Sequence, residues 1–272
     1  MATWNAATSA LFDALLAPFG HGPAWFDLLL WPALAGVLAL VVYQRLSNQA
    51  GIRRAKDRIA AHLYEIRLFR HDPLAVLAST GRIFARNGVY VGHNLIPLAL
   101  LLVPMLAILA QLEAHYAFAP APVGAVELLE VRLDPRAGVQ PRDVRLELPP
   151  GVALDAPPVR TVDGEIFWRL RAEAPGDHVL TLHAGGETLT KGWAVGGAAR
   201  KVPVKRTRTW DALLYPGEPP LPRESAVRSV ALAYPERDLG LLPDGELGIL
   251  ATFFGVSLLT GFSLKGRFGV TL

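Results

Sequence analysis

The chain has 272 residues, no cysteine, a formal net charge of +3, and 51% hydrophobic against 19% charged residues. A water-soluble domain carries about 25% charged residues, so this balance, with a mean hydropathy of +0.31, argues against an ordinary soluble enzyme and for membrane segments. Without cysteine there are no disulfides, zinc–thiolate sites, iron–sulfur clusters or thiol nucleophiles, and so small a net charge argues against a general polyanion binder.

Residues 1–23 read as a leader. The first twenty hold no Lys or Arg, whereas a cleavable signal peptide needs a basic start. Instead 8–18 predicts a short amphipathic helix with Leu11, Phe12, Leu15 and Leu16 on one side, lying on the outer leaflet. Trp25, Phe26 and Trp31 follow as an interfacial aromatic belt. The run 28–44 is uncharged. A spanning helix needs roughly 20 apolar residues, about 17 at minimum, so a first span is expected over 24–44, with Asp27 at the headgroup level.

Residues 45–90 predict a basic helical hairpin. The segment 45–91 holds nine basic residues against three acids. From 48 to 70 there is no proline, and Ile52, Ala55, Ile59, Leu63, Ile66 and Phe69 recur at helical spacing. Arg53, Arg54, Lys56, Arg58, Arg67 and Arg70 fill the remaining faces as a basic surface. Asp72 is placed as an N-cap with Pro73 at the first helical position. A second helix is expected from Leu74 to about Arg86, ended by Asn87-Gly88.

The uncharged run 87–112 supplies a second span over 91–117. It contains Pro97 and Pro104, each of which frees a backbone carbonyl. Asn94 and Gln111 are polar residues within it, and such residues face protein or a water-filled cavity. His93 stands beside Asn94 at the same end.

Residues 118–236 read as a β-sandwich. Strand patterns cover 126–133, 143–148, 165–171, 178–183, 187–195 and 226–234, separated by turn signals such as Pro149-Pro150-Gly151 and Asp163-Gly164. Gly185-Gly186 is the strongest hairpin signal. Six or seven short strands in about 110 residues suggest an immunoglobulin-like sandwich, with Trp168 and Trp193 in the core. A proline-rich stretch, 204–222, packs on this domain or on a partner. Arg200, Lys201, Lys205, Arg206 and Arg208 form a basic cluster, read as a solvated edge or an anionic-headgroup contact. His178 and His183 lack the spacing of a metal site. The uncharged run 247–264 gives a third span over 245–264. Its small residues Ala251, Gly255 and Gly261 permit close helix packing, and Ser257 and Thr260 add weak polarity. A tail, 265–272, carries Lys265 and Arg267.

Lys and Arg in short loops stay on the cytoplasmic side. The N-terminus and the 118–236 domain are therefore expected outside, and the hairpin and C-terminus inside. The fold class expected is an α+β membrane protein with three transmembrane helices, a cytoplasmic helical hairpin and an extracytoplasmic all-β sandwich. No nucleophile elbow, P-loop or dinucleotide fingerprint occurs. No enzyme activity, cofactor, metal or sequence-specific nucleic-acid binding is expected.

The order of elements resembles the Oxa1 superfamily of membrane insertases. The local match runs from Arg86-Asn87-Gly88-Val89 through Asn94-Leu95-Ile96-Pro97 to Val103-Pro104-Met105, where a hairpin enters a proline-bearing span. The resemblance covers residues 25–117 and, by topology, 247–264. It implies a groove open to the cytoplasm and to lipid, lined by Asn94, Gln111, Ser257 and Thr260, through which a polar client segment crosses the bilayer. Bacterial members place an arginine in that groove; here no Arg lies within the first span, and Arg45 stands at its end. Two functions remain open. One is an insertase-like or membrane-chaperone protein of a bacterial inner membrane, whose hairpin meets nascent chains, a ribosome or anionic lipid. The other is a non-catalytic accessory subunit, whose spans dock on integral membrane partners and whose sandwich is an interaction module.

Overall fold

The computed structural model describes residues 2–16 and 24–270. The predicted end of the leader helix at Pro18, the side chain of Leu16 and the last two residues of the tail lie outside them. The chain is α+β. Five helices, α1 (Ala2–Leu16), α2 (Ala24–Leu46), α3 (Gln49–Leu68), α4 (Pro73–Tyr116) and α5 (Gly245–Leu264), flank a run of eight strands between α4 and α5. Three of the helices, α2, α4 and α5, are long and apolar enough to cross a membrane. The chain divides into two compact units, residues 29–106 with 253–272 and residues 1–28 with 107–252.

The first unit is helical. Its core is Leu40, Tyr43, Ile52, Leu101 and Val270. Asn48 caps α3, its Oδ1 accepting from the Gly51 N–H at 2.9 Å, which satisfies one of the free donors of the first turn. Asp72 does the same for α4, accepting from Leu74 and Ala75 at 3.0 and 3.2 Å. Pro73 follows at the position where its missing N–H costs nothing. The expected break at Asn87-Gly88 is absent: α4 runs unbroken from the hairpin into the uncharged segment. A glycine inside a helix costs only about 1 kcal/mol against alanine, and with no proline at 88–90 the hydrogen-bonded turns on either side carry the helix through. The small residues expected to pack α5 are not the ones that do. Gly255 and Gly261 face open space, and Ala251 is exposed. The close contact is made instead by Gly36 on α2, where an added Cβ would lie 2.5 Å from the Ser257 carbonyl oxygen.

The second unit holds the strands: β1 (Val126–Leu133), β2 (Arg145–Glu147), β3 (Val152–Arg160), β4 (Glu165–Ala172), β5 (Gly176–Ala184), β6 (Glu187–Val195), β7 (Lys205–Thr207) and β8 (Val227–Leu232). They form a five-stranded sheet ordered β3-β4-β1-β8-β7 and a three-stranded sheet ordered β2-β5-β6, antiparallel throughout. Inward residues of both sheets join one core, with Leu129, Val131, Ile166 and Leu170 from the larger and Leu180, Leu182 and Leu189 from the smaller. Trp168 and Trp193 are both buried in it, as expected. All six predicted strands are present. The turn Gly185-Gly186 has positive φ at both residues, the conformation that a two-residue hairpin loop demands and that glycine adopts without strain, and it pairs Ala184 with Glu187. Strands β3 and β7 were not expected. β3 carries Pro157-Pro158, which sit in a register shift between Ala156 and Val159, and it lies at an edge, the place where a strand tolerates proline.

One buried ion pair fixes the proline-rich stretch to the smaller sheet. Strand alternation places Leu189, Lys191 and Trp193 on the inward face of β6, and Lys191 is 1% exposed. Its ammonium donates to Glu218 Oε2 at 2.5 Å, to Gly192 O at 3.2 Å and to the carbonyl of Pro203. Glu218 Oε1 also accepts from the Gly192 N–H at 2.7 Å. Removing one partner of a buried pair strands the other charge, at a cost of about 3–5 kcal/mol. Glu218→Ala is therefore expected to lower the thermal unfolding midpoint of the detergent-solubilised chain, measured by near-ultraviolet circular dichroism. Lys191→Met with Glu218→Met should recover most of the loss. An unchanged midpoint for the single variant would contradict this assignment.

Candidate functional site

The hairpin is closed by one carboxylate. Glu65 on α3 accepts from Ser79 Oγ on α4 at 2.9 Å, contacts His62 Nδ1 at 2.9 Å and lies 3.6 Å from Arg82 Nη1. The hydrogen bonds from His62 and then Ser79, with help from Arg82, hold its carboxyl below the ordinary glutamate value. Around this tie the hairpin presents its apolar residues outward. Leu68 is 74% exposed, Leu74 78%, Leu77 70% and Phe84 72%. Arg67 and Arg70 stand beside them, also exposed. The predicted apolar stripe of α3 is thus only partly inward: Ile52 and Ala55 are buried, whereas Leu63 and Phe69 are exposed.

The other basic residues of the hairpin differ in their surroundings. Arg53 donates to the Gly269 carbonyl at 3.3 Å, and the Lys56 ammonium lies 5.6 Å from the centre of the Tyr90 ring. Arg54 and Arg58 line an open cavity of about 220 Å³ together with Arg86 and His93.

The four residues expected to line a groove do not share one environment. Asn94 is held on both sides in the helical unit: its Oδ1 accepts from the Tyr43 hydroxyl and its Nδ2 donates to Tyr90 O at 2.6 Å. Ser257, in the same unit, donates to Phe254 O at 3.2 Å, and Thr260 is half-buried. Gln111 belongs to the other unit and is 1% exposed. It contacts Ser9 Oγ at 3.3 Å and Thr8 Oγ1 at 3.4 Å, and accepts from Lys201 Nζ at 3.2 Å. Lys201 also reaches Ser9 and, at 3.6 Å, Asp13. Burial pulls Lys201 below the ordinary lysine value, partly countered by Asp13. His115 adds a contact to Asp13 at 3.1 Å. The leader helix α1 is therefore anchored within its unit by polar contacts as well as by Phe12, while Leu11 and Leu15 are exposed.

Asp27, expected at headgroup level, is buried in the first turn of α2, where a negative charge suits the helix dipole. It accepts from the Tyr116 hydroxyl at 2.5 Å, and the Arg237 guanidinium lies 5.1 Å from the centre of the Tyr116 ring. The basic cluster at 200–208 is not a free patch. Arg200 pairs with Asp177, Lys205 with Asp211 and Arg208 with Asp134, while Arg206 donates to Pro219 O. A small apolar pocket of about 20 Å³ near the end of α4 is lined by Phe118, Val204, Leu214 and Tyr215, with Glu113 and Glu246 at its wall.

Two features escaped the sequence reading. The Lys191–Glu218 pair was signalled by the inward phase of Lys191 on a strand, between Leu189 and Trp193. The cavity of Arg54, Arg58, Arg86 and His93 was signalled by i, i+4 and i, i+7 spacing on two neighbouring helices, but only once those helices are packed together.

Because the folded-state value of Glu65 is depressed, its contribution to hairpin closure is complete above the ordinary glutamate range and is lost as pH falls through the depressed value. The native chain is expected to open as pH falls through that value, and Glu65→Gln is expected to speed amide exchange of 74–82 severalfold at neutral pH and to remove that acid dependence. Equal exchange in the two proteins at all pH values would rule out Glu65 as the closure.

No protein-family model, no curated protein and no solved structure matches this chain.

Proposed function

We propose that this is an integral membrane protein of a bacterial inner membrane that assists the insertion or assembly of other membrane proteins, in the manner of the Oxa1 superfamily that its layout resembles. Helices α2, α4 and α5 are the spans, with the hairpin and C-terminus in the cytoplasm and the strands outside. The positive-inside distribution of Lys and Arg supports that orientation. The observation that carries the functional reading is the hairpin tip. Leu68, Leu74, Leu77 and Phe84 are exposed beside Arg67 and Arg70. Large apolar side chains exposed together with cations on one hairpin mark an interaction site, and an emerging apolar client segment is chemically suited to it. The reading involves no cofactor and no bond-making step. The two-sheet unit serves outside as an immunoglobulin-like interaction module.

A second reading, an accessory subunit of a larger membrane complex, is favoured by Asn94 and Gln111. Both are engaged by their own chain rather than free to line a groove. The open face of α5 at Gly255 and Gly261 would then dock on a partner helix.

Photo-crosslinking in cells from positions 74, 77, 94 and 257, with position 38 as a control, separates the two. Adducts at 74 and 77 to many short-lived, newly made membrane proteins are expected. Adducts confined to one or two stable, stoichiometric partners, chiefly from 257, would overturn the first reading and establish the second.

A further inference from the structure

We propose that the arginine-lined cavity between α3 and α4 binds the phosphate of an anionic phospholipid, a site that rests on reading the long apolar helices as membrane spans. The cavity is built within the helical unit. Arg54 and Arg58 are one turn apart on α3, and Arg86, Val89 and His93 share a stripe of α4, all on its wall. Gly51 leaves room for the side chains around it: a Cβ there would stand 2.9 Å from both His93 Nε2 and Asn48 Nδ2.

The charge has no internal answer. No carboxylate lines the cavity, and the α4 sequence from 73 to 112 contains no Asp or Glu. Among the described residues, Arg54, Arg58 and Arg86 make no hydrogen bond or ion pair with any side chain or carbonyl of this chain. The five basic residues at 200–208, by contrast, are all engaged. Each guanidinium on the wall presents paired donors that match two phosphate oxygens at once.

What surrounds the cavity identifies the source of the phosphate. Arg86 is the last charge before the uncharged run of α4. On the same stripe, seven and eleven residues beyond Val89, lie Ile96 and Leu100, which are 68% and 53% exposed, with Val89 itself at 46%. An apolar track leading directly from a cluster of arginines fits a molecule that is anionic at one end and hydrocarbon at the other. A free phosphate would have no use for the track. Basic pockets at the cytoplasmic mouth of packed spans are the recurrent form of headgroup recognition.

Native mass spectrometry of the full chain, released from nanodiscs of phosphatidylglycerol and phosphatidylcholine, tests this. The native chain is expected to retain phosphatidylglycerol in preference. Arg58→Gln with Arg86→Gln should weaken that retention about thirtyfold, since each cation near a membrane surface is worth roughly 1 kcal/mol toward anionic lipid. Arg58→Lys with Arg86→Lys, which keeps the charge but loses the paired donors, should fall between the two. Arg67→Gln with Arg70→Gln, an equal loss of charge outside the cavity, should change retention less than about threefold.

Equal losses in the two glutamine variants would overturn the proposal in favour of diffuse attraction. No preference for phosphatidylglycerol would overturn it outright. Displacement of the lipid by millimolar inorganic phosphate would make the ligand a small anion instead. Carbonate extraction of the same variants keeps the two readings apart. Release of the native chain would sink the membrane reading, whereas retention without lipid preference would sink only this site.

Discussion

A long uncharged stretch leaves its backbone few choices. In hydrocarbon each N–H and C=O must find a partner within the chain, and the helix is the only single-segment structure in which all of them do. On the proposed membrane reading, that constraint governs the architecture. It would keep α2, α4 and α5 helical despite Pro32, Pro97 and Pro104, and it would leave charge at the flanks of the uncharged runs, with Asp27 in the first turn of α2, Arg45 in its last and Arg86 just before residue 87 of α4. The same constraint explains the polar contacts inside these helices. Asn94 answers Tyr43 and the Tyr90 carbonyl, and Tyr116 answers Asp27, because a polar side chain without water must be met by protein.

The strand-bearing unit obeys the opposite solvent. There alternation divides each strand between core and surface, and the stretch after β6 folds back over the smaller sheet because Lys191 and Glu218 hold it there. A buried pair adds little over an apolar substitute, but losing one partner strands the other, so Glu218 ties the proline-rich segment to Lys191. The basic residues that follow serve the same purpose in milder form, each tied to a named acid or carbonyl.

Much of this was legible in the residues. The six strands bounded by glycine and proline turns, the tryptophans of the core, the cap at Asp72 and the three apolar helices are all local signals, and local signals survive folding. What was not legible depended on packing. Pro157 and Pro158 conceal β3, because a strand that keeps proline is recognisable only once its edge position is known. Asn87-Gly88 looks like a helix stop, yet the turns on either side outweigh one glycine. Gly255 and Gly261 look like a packing face, yet Gly36 makes the contact, since which small residue meets a neighbour depends on how two helices are rotated. Gln111 reads as a groove residue because its partners, Ser9 and Lys201, lie about a hundred residues away on either side.

The prolines of β3 have one more effect. The larger sheet ends on that strand, and a sheet's last strand displays unpaired backbone groups to any chain that drifts past. Two consecutive residues without an N–H, set in a register break, interrupt that row where a stray strand would have to continue it. In the proposed membrane setting, many copies of this edge would be held in lasting proximity, and the interruption would disfavour their joining into a shared ribbon.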